Sequence, residues 1–254
     1  MSNHLFDLSD EYDQMLNKGL RLSGEGRRFF LEGRVDFLLK RLPSGRPWRR
    51  ILDYGCGLGE TSACLARRFP EAEVVGVDTS PAALKSARRQ YGSDRVTFSM
   101  LEELDRSERF DLCYCNGVFH HIPVNMRPRA VELVHRVLCP GGTFAFFENN
   151  PWNPGTRLVM RLVPFDRDAI MISPARAVRM LRSGGFSVND TPDYLFIFPK
   201  VLAALRPLEP KLVKYPFGAQ YLILSRKGTG GYCVIPRSDP EDAASGTSVG
   251  HREP

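Results

Sequence analysis

From residue 50 onward, short apolar runs alternate with amphipathic stretches at a regular interval. Arg50–Tyr54, Glu73–Val77, Arg95–Met100, Phe110–Cys115 and Thr143–Glu148 read as five strands. Their interiors are nearly continuous apolar runs, as expected of strands covered on both faces. Helices are expected from Glu60 to Phe69, after Ser80-Pro81, over about 127–138, and from Ser173-Pro174 to Gly184-Gly185. A sixth strand near Phe186–Asn189 and a final one at Gln220–Ser225 complete the series. Alternation of this kind predicts an α/β fold with a doubly wound, mostly parallel, seven-stranded sheet and helices on both faces.

Residues 1–47 lie outside that rhythm. They read as two helical stretches, 8–20 and 25–42, separated by Leu22–Gly26 and ended by Pro43-Ser44-Gly45, and are expected to form an N-terminal lid. The central domain then spans 48–227, with cap insertions at 149–172 and 195–217 that are too long for plain connections. In the second insertion Val201-Leu202, Leu205, Leu208 and Leu212-Val213 recur at helix-like spacing. Residues 228–254 turn to small and polar types and read as a disordered tail.

Composition narrows the class. With 43% hydrophobic and 25% charged residues in 254, the chain has a globular profile. No apolar run reaches the roughly 18 residues that span a bilayer, and Asp7, Asp10, Glu11 and Asp13 do not suit a signal peptide. The six cysteines show no C-x-x-C pair and no zinc spacing, so a cytoplasmic protein with free thiols and no metal is expected. Net charge is +6, but the basic residues are scattered and read as solvated faces.

The strongest chemical signal is Ile51-Leu52-Asp53-Tyr54-Gly55-Cys56-Gly57-Leu58-Gly59, in which a strand ends in an acid, turns through glycines and opens a helix. Such a turn lets backbone approach a ligand, and the helix N-terminus favours its negative end. A dinucleotide fingerprint wants Gly or Ala where Glu60 stands. Asp53 would repel a pyrophosphate but suits an amino group or sulfonium. Twenty-five residues later Val75-Gly76-Val77-Asp78 ends the second strand with an acid placed to accept from ribose hydroxyls.

With these motifs and Val137-Leu138-Cys139-Pro140-Gly141-Gly142, residues 50–148 resemble the class I methyltransferases. The resemblance implies S-adenosylmethionine as cofactor. Asp53, Gly55, Cys56 and Gly57 would surround its methionine end, Asp78 its ribose and Thr79 its adenine, with Asn116 and Gly117 contributing backbone beside the methionine part. Family members often place an acid after the third strand, whereas Ser99-Met100-Leu101-Glu102 stands here.

The acceptor is read mainly by exclusion. After the fourth strand stands Cys115-Asn116-Gly117-Val118, not the Asn/Asp-Pro-Pro-Tyr of base-amine methyltransferases, and no aromatic-plus-basic stacking stripe is present, so no nucleic-acid partner is expected. Phe119-His120-His121-Ile122 follows directly. A histidine suits removal of an acceptor proton, and either His120 or His121 could serve; a structural role at a helix start is equally compatible. The expected activity is O-methylation of an apolar or aromatic small molecule, with 195–217 as an apolar wall. Two alternatives stay open: a membrane-peripheral methyltransferase of a lipid or quinone head group, and a non-catalytic nucleoside-binding module. Oligomeric state is not readable.

Overall fold

The computed structural model describes residues 23–163 and 169–229. The 8–20 helix, Cys233 and most of the tail lie outside the described residues, as does the Pro164–Asp168 stretch.

Among the described residues, eight strands form one sheet. In chain order they are β1 (Arg50–Tyr54), β2 (Glu73–Asp78), β3 (Val96–Met100), β4 (Phe110–Asn116), β5 (Leu138–Asn149), β6 (Phe186–Val188), β7 (Asp193–Leu195) and β8 (Gln220–Lys227). Their order is β3-β2-β1-β4-β5-β8-β6, with β7 also paired to β8. The first five are parallel and the pairs made by β8 are antiparallel. The chain reverses its winding between β1 and β4, and a crevice opens there at the carboxyl ends of the strands, the usual ligand site of such sheets.

Among the described residues the α-helices longer than one turn are α1 (Arg27–Leu39), α2 (Glu60–Arg68), α3 (Pro81–Tyr91), α4 (Arg127–Val137), α5 (Pro154–Leu162) and α6 (Pro174–Ser183). Their starts follow local chemistry. Ser80 Oγ accepts from the Ala83 N–H with Pro81 at the first helical position, and Asn153 Oδ1 accepts from the Thr156 N–H ahead of α5. Two apolar cores cover the sheet. Leu52, Cys113, Cys115 and Phe146 point to one face, and Ile51, Leu112, Tyr114 and Phe147 to the other, the period of two expected of strands.

Three features depart from the sequence reading. The Pro140-Gly141-Gly142 segment does not stop the helix ahead of a strand; it lies inside β5, where Leu138 already pairs with Phe110 before a register shift. The first insertion contains α5, a helix for which the sequence reading named no element. The second is led in by the short β7 and holds a 3-10 helix, Lys200–Leu208, and a one-turn helix, Glu209–Leu212, neither with a buried residue.

Candidate active site

The Gly-rich turn is pinned to the end of β2. The N–H groups of Gly55 and Cys56 both donate to the Val77 carbonyl, at 2.8 and 3.0 Å. Each glycine has its own reason. At Gly55, φ is +76° and a Cβ would stand 2.3 Å from Val118 Cγ2, so this position brings the β4–α4 connection close. At Gly57, φ is +52° and a Cβ would meet nothing within 4 Å, because that side of the turn is open cavity.

Asp78 holds the turn from the next strand. Its Oδ2 accepts from the Gly57 N–H at 2.8 Å and its Oδ1 from the Ser80 N–H at 3.0 Å. A carboxylate offers about four lone-pair sites, so both oxygens can still accept from a ligand. Asp53 is the more enclosed acid, 2% exposed, with Ser62 Oγ donating to its Oδ2 at 2.7 Å. Burial pushes its pKa up to about 7; the Ser62 hydroxyl opposes this, Asp78 adds to it and Arg34 opposes it. Gly76, opposite Asp53 in the register, leaves the space Ser62 needs, since a Cβ there would lie 2.9 Å from Ser62 Oγ.

Both acids line a cavity of 1120 Å³. Single-ligand sites run to about 300–1,000 Å³, so the space accommodates a cofactor and an acceptor together. The cavity is also lined by Gly55, Cys56, Gly57, Thr79, Asn116, Gly117, His120 and His121, so the candidate cofactor and base residues of the sequence meet in one space. Thr79 is exposed, and Cys56 is buried with its thiol pKa raised, chiefly by burial. Glu102 sits on a 3-10 turn as an exposed side chain and does not line the cavity.

The two histidines separate in this setting. The His120 and Glu148 side chains are 3% and 1% exposed, and Nδ1 of the histidine stands 2.6 Å from Oε2 of the glutamate. The His120 backbone N–H donates to the other carboxylate oxygen at 3.3 Å. His121 is half-buried, its backbone N–H closing a turn on the Val118 carbonyl. A neutral imidazole that donates from Nδ1 to Glu148 carries its lone pair on Nε2.

Sequence reading missed a polar network across the cavity floor. Arg34 donates to the Tyr114 hydroxyl and to Gln220 Oε1, both at 3.2 Å, and Gln220 Nε2 donates to Asn149 Oδ1 at 3.0 Å. Tyr114 is the register partner of Asp53 across β1 and β4. A signal for Arg34 existed: Leu31, Arg34, Val35 and Leu38 share one helix stripe, and a cation there interrupts a buried face. Facing this floor, Phe29, Phe30 and Phe196 form a ring cluster with centroids 4.9–5.8 Å apart. Phe196 holds φ +59°, rare for a bulky residue, and Gly33 of α1 leaves room for its ring.

Known proteins resemble part of this chain. The family model described as a methyltransferase domain matches residues 51–142, from β1 into β5. Trans-aconitate 2-methyltransferase of Methylobacterium radiotolerans is 39% identical over 130 residues, covering 50% of this chain and 47% of that protein. The enzyme of the same name from Methylobacterium nodulans is 33% identical over 156 residues, 60% and 58% of the two chains. The chain thus spans about half the length of the curated relatives it matches. A methyltransferase structure from Archaeoglobus fulgidus, described as S-adenosylmethionine-dependent, superposes with a TM-score of 0.59 at 18% identity, over 80% of this chain and 95% of that one. The open cradle at Gly57, the spare acceptors of Asp78 and the carboxyl of Asp53 fit S-adenosylmethionine, the cofactor of this class. Residues 51–142 thus match a methyltransferase domain, in line with the resemblance of the sequence to the class I methyltransferases.

Proposed function

We propose that the protein methylates a hydroxyl of a small molecule with an apolar or aromatic body, with His120 as general base and Glu148 as its positioning residue. The observation that carries this is the buried His120–Glu148 pair in the same cavity as the Asp53–Gly57 turn. Bound S-adenosylmethionine supplies an electrophilic methyl group on a sulfonium.

Asp78 accepts from the ribose hydroxyls while bracing the turn, and Asp53 faces the positive end of the methionine moiety. Arg34 and the N-terminus of α2 supply positive potential for the methionine carboxylate. His120 takes the acceptor's hydroxyl proton at Nε2 as the oxygen attacks in line, and Glu148 stabilises the imidazolium that forms.

The lining argues about the acceptor's body. Of the cavity arginines, Arg27 pairs with Glu60 at 2.9 Å and Arg206 with Glu25 at 2.7 Å. Arg34 is opposed by Asp53. A tricarboxylate would want a surplus of cations, whereas Phe29, Phe196, Phe198, Leu158 and Val159 offer apolar surface. The test is a screen with methyl-labelled S-adenosylmethionine against hydroxylated aromatic and isoprenoid acceptors, with trans-aconitate as a parallel arm. Label transfer to a hydroxylated apolar acceptor supports the reading. Transfer to trans-aconitate alone would refute it.

A further inference from the structure

The cavity opens between two segments whose surfaces are unusual for a protein exterior. Residues 150–163 and 196–218 are joined at their bases, where Asn150 Nδ2 donates to the carbonyls of Pro216 and Gly218 and Asn153 Nδ2 to that of Phe217. Above this seam the side chains are apolar and in solvent. Val201 is 86% exposed, Leu162 and Phe217 are each 56% exposed and Trp152 is 55% exposed; Leu205 and Leu208 add to the patch. A 3-10 helix of nine residues with none buried contributes nothing to the core.

The charges on this rim have one sign. Arg157, Arg161, Lys200, Arg206, Lys211 and Lys214 fall within these two segments, against the single acid Glu209. Glu209 is turned inward, its Oε1 accepting from the N–H groups of Ile197 and Phe198. Arg206 and Lys214 are ion-paired to Glu25 and Asp193. Among the described residues, Arg157, Arg161, Lys200 and Lys211 have no carboxylate partner, and all four are exposed. On α5, Arg157 and Arg161 lie one turn apart, directly beside the exposed Leu158 and Leu162. Exposed apolar side chains flanked by long cations, with the one acid of the two segments, Glu209, turned inward, complement an anionic lipid interface: the apolar groups enter it and the cations reach its phosphates.

We infer that this rim docks the protein on an anionic lipid bilayer, with the cavity mouth against the membrane. No helix among the described residues is long and apolar enough to cross a membrane, so the contact is peripheral. Docking of this kind would present the cavity to an amphiphilic acceptor held in the bilayer, a consequence that rests on the methyltransferase reading; the docking itself does not.

The experiment uses the full chain, without cofactor or acceptor, and vesicles of phosphatidylcholine with or without phosphatidylglycerol. Co-sedimentation with the anionic vesicles is expected, weakening with added salt, together with a blue shift in tryptophan emission that Trp152→Phe removes. Lys200→Ala and Lys211→Ala should each lower the partition about fivefold. Leu162→Asp with Val201→Asp, at two exposed positions outside the cavity lining, should lower it at least about a hundredfold without altering the circular dichroism or the melting temperature. Absence of sedimentation with anionic vesicles would overturn the inference, as would equal binding of the double variant. If the double variant instead abolishes a concentration-dependent dimer in sedimentation velocity and leaves vesicle partition unchanged, the face is a contact between copies and the inference fails.

Discussion

Asp53 gives a pH signature that can be worked from the structure. Its carboxyl is pushed up to about 7 mainly by burial, so without ligand it is largely protonated at pH 6 and largely ionised at pH 8. A cationic amino group or sulfonium beside it favours the carboxylate, so cofactor binding must expel the proton wherever it is present. Affinity for S-adenosylmethionine should therefore rise with pH, about fivefold between pH 6 and pH 7 and about tenfold between pH 6 and pH 8, and level off as the group ionises on its own. Calorimetry in buffers of different ionisation enthalpy should report nearly one proton released at pH 6 and little at pH 8. The Ser62 hydroxyl holds the pKa down, so Ser62→Ala should shift the inflection upward. Asp53→Asn should flatten the profile over this range. The ligand-free protein should behave oppositely. A carboxyl raised above its ordinary value of 3.8 contributes its stability fully below that pH and loses it as pH rises through about 7. Affinity independent of pH between 5.5 and 7, with no proton release, would refute this account of the site.

Other perturbations separate binding from chemistry. Asp78→Ala removes the acceptor of two backbone N–H groups as well as the proposed ribose contact, so affinity should fall about ten- to a hundredfold with a measurable drop in melting temperature; unchanged affinity would remove Asp78 from the site. His120→Asn, which can still donate to Glu148, should lower kcat about a hundredfold with cofactor affinity nearly unchanged, whereas His121→Ala should retain most turnover. Glu148→Gln should lower kcat more than it raises KM, since the neutral amide holds the ring but not its charge; an effect on KM alone would make Glu148 a packing residue. In Gly55→Ala the new Cβ would press on Val118 at φ +76°. Its melting temperature should fall, and Val118→Ala in the same chain should recover the part due to the clash, leaving about 1–2 kcal/mol of backbone cost.

Local order was readable in the sequence and long-range pairing was not. Strand periodicity, the Ser80-Pro81 start and the acid–glycine turn are properties of contiguous residues, and their positions in the sheet follow from the chirality of parallel crossovers. The β7 strand, only Asp193–Leu195, exists because β8 offers it an edge, and three residues carry no period of their own. The start of β5 was read too late because Pro140-Gly141-Gly142 signals a break, yet Phe110 pairs with Leu138 ahead of it.

The same distinction governs the site. Asp53 and Asp78 could be named because each lies at the carboxyl end of its own strand, while Arg34 gathers Tyr114 and Gln220 from 80 and 186 residues away. His120 and His121 are identical in type and adjacent in sequence, so no local pattern tells them apart. What divides them is Glu148, 28 residues on, delivered by β5 beside β4 so that its carboxylate meets one ring at 2.6 Å. The proposed base is thus singled out by its partner, and the partner by sheet order. In a parallel sheet the carboxyl ends of neighbouring strands converge. For this fold, then, the search for a base's partner belongs at the end of the adjacent strand rather than in the flanking sequence.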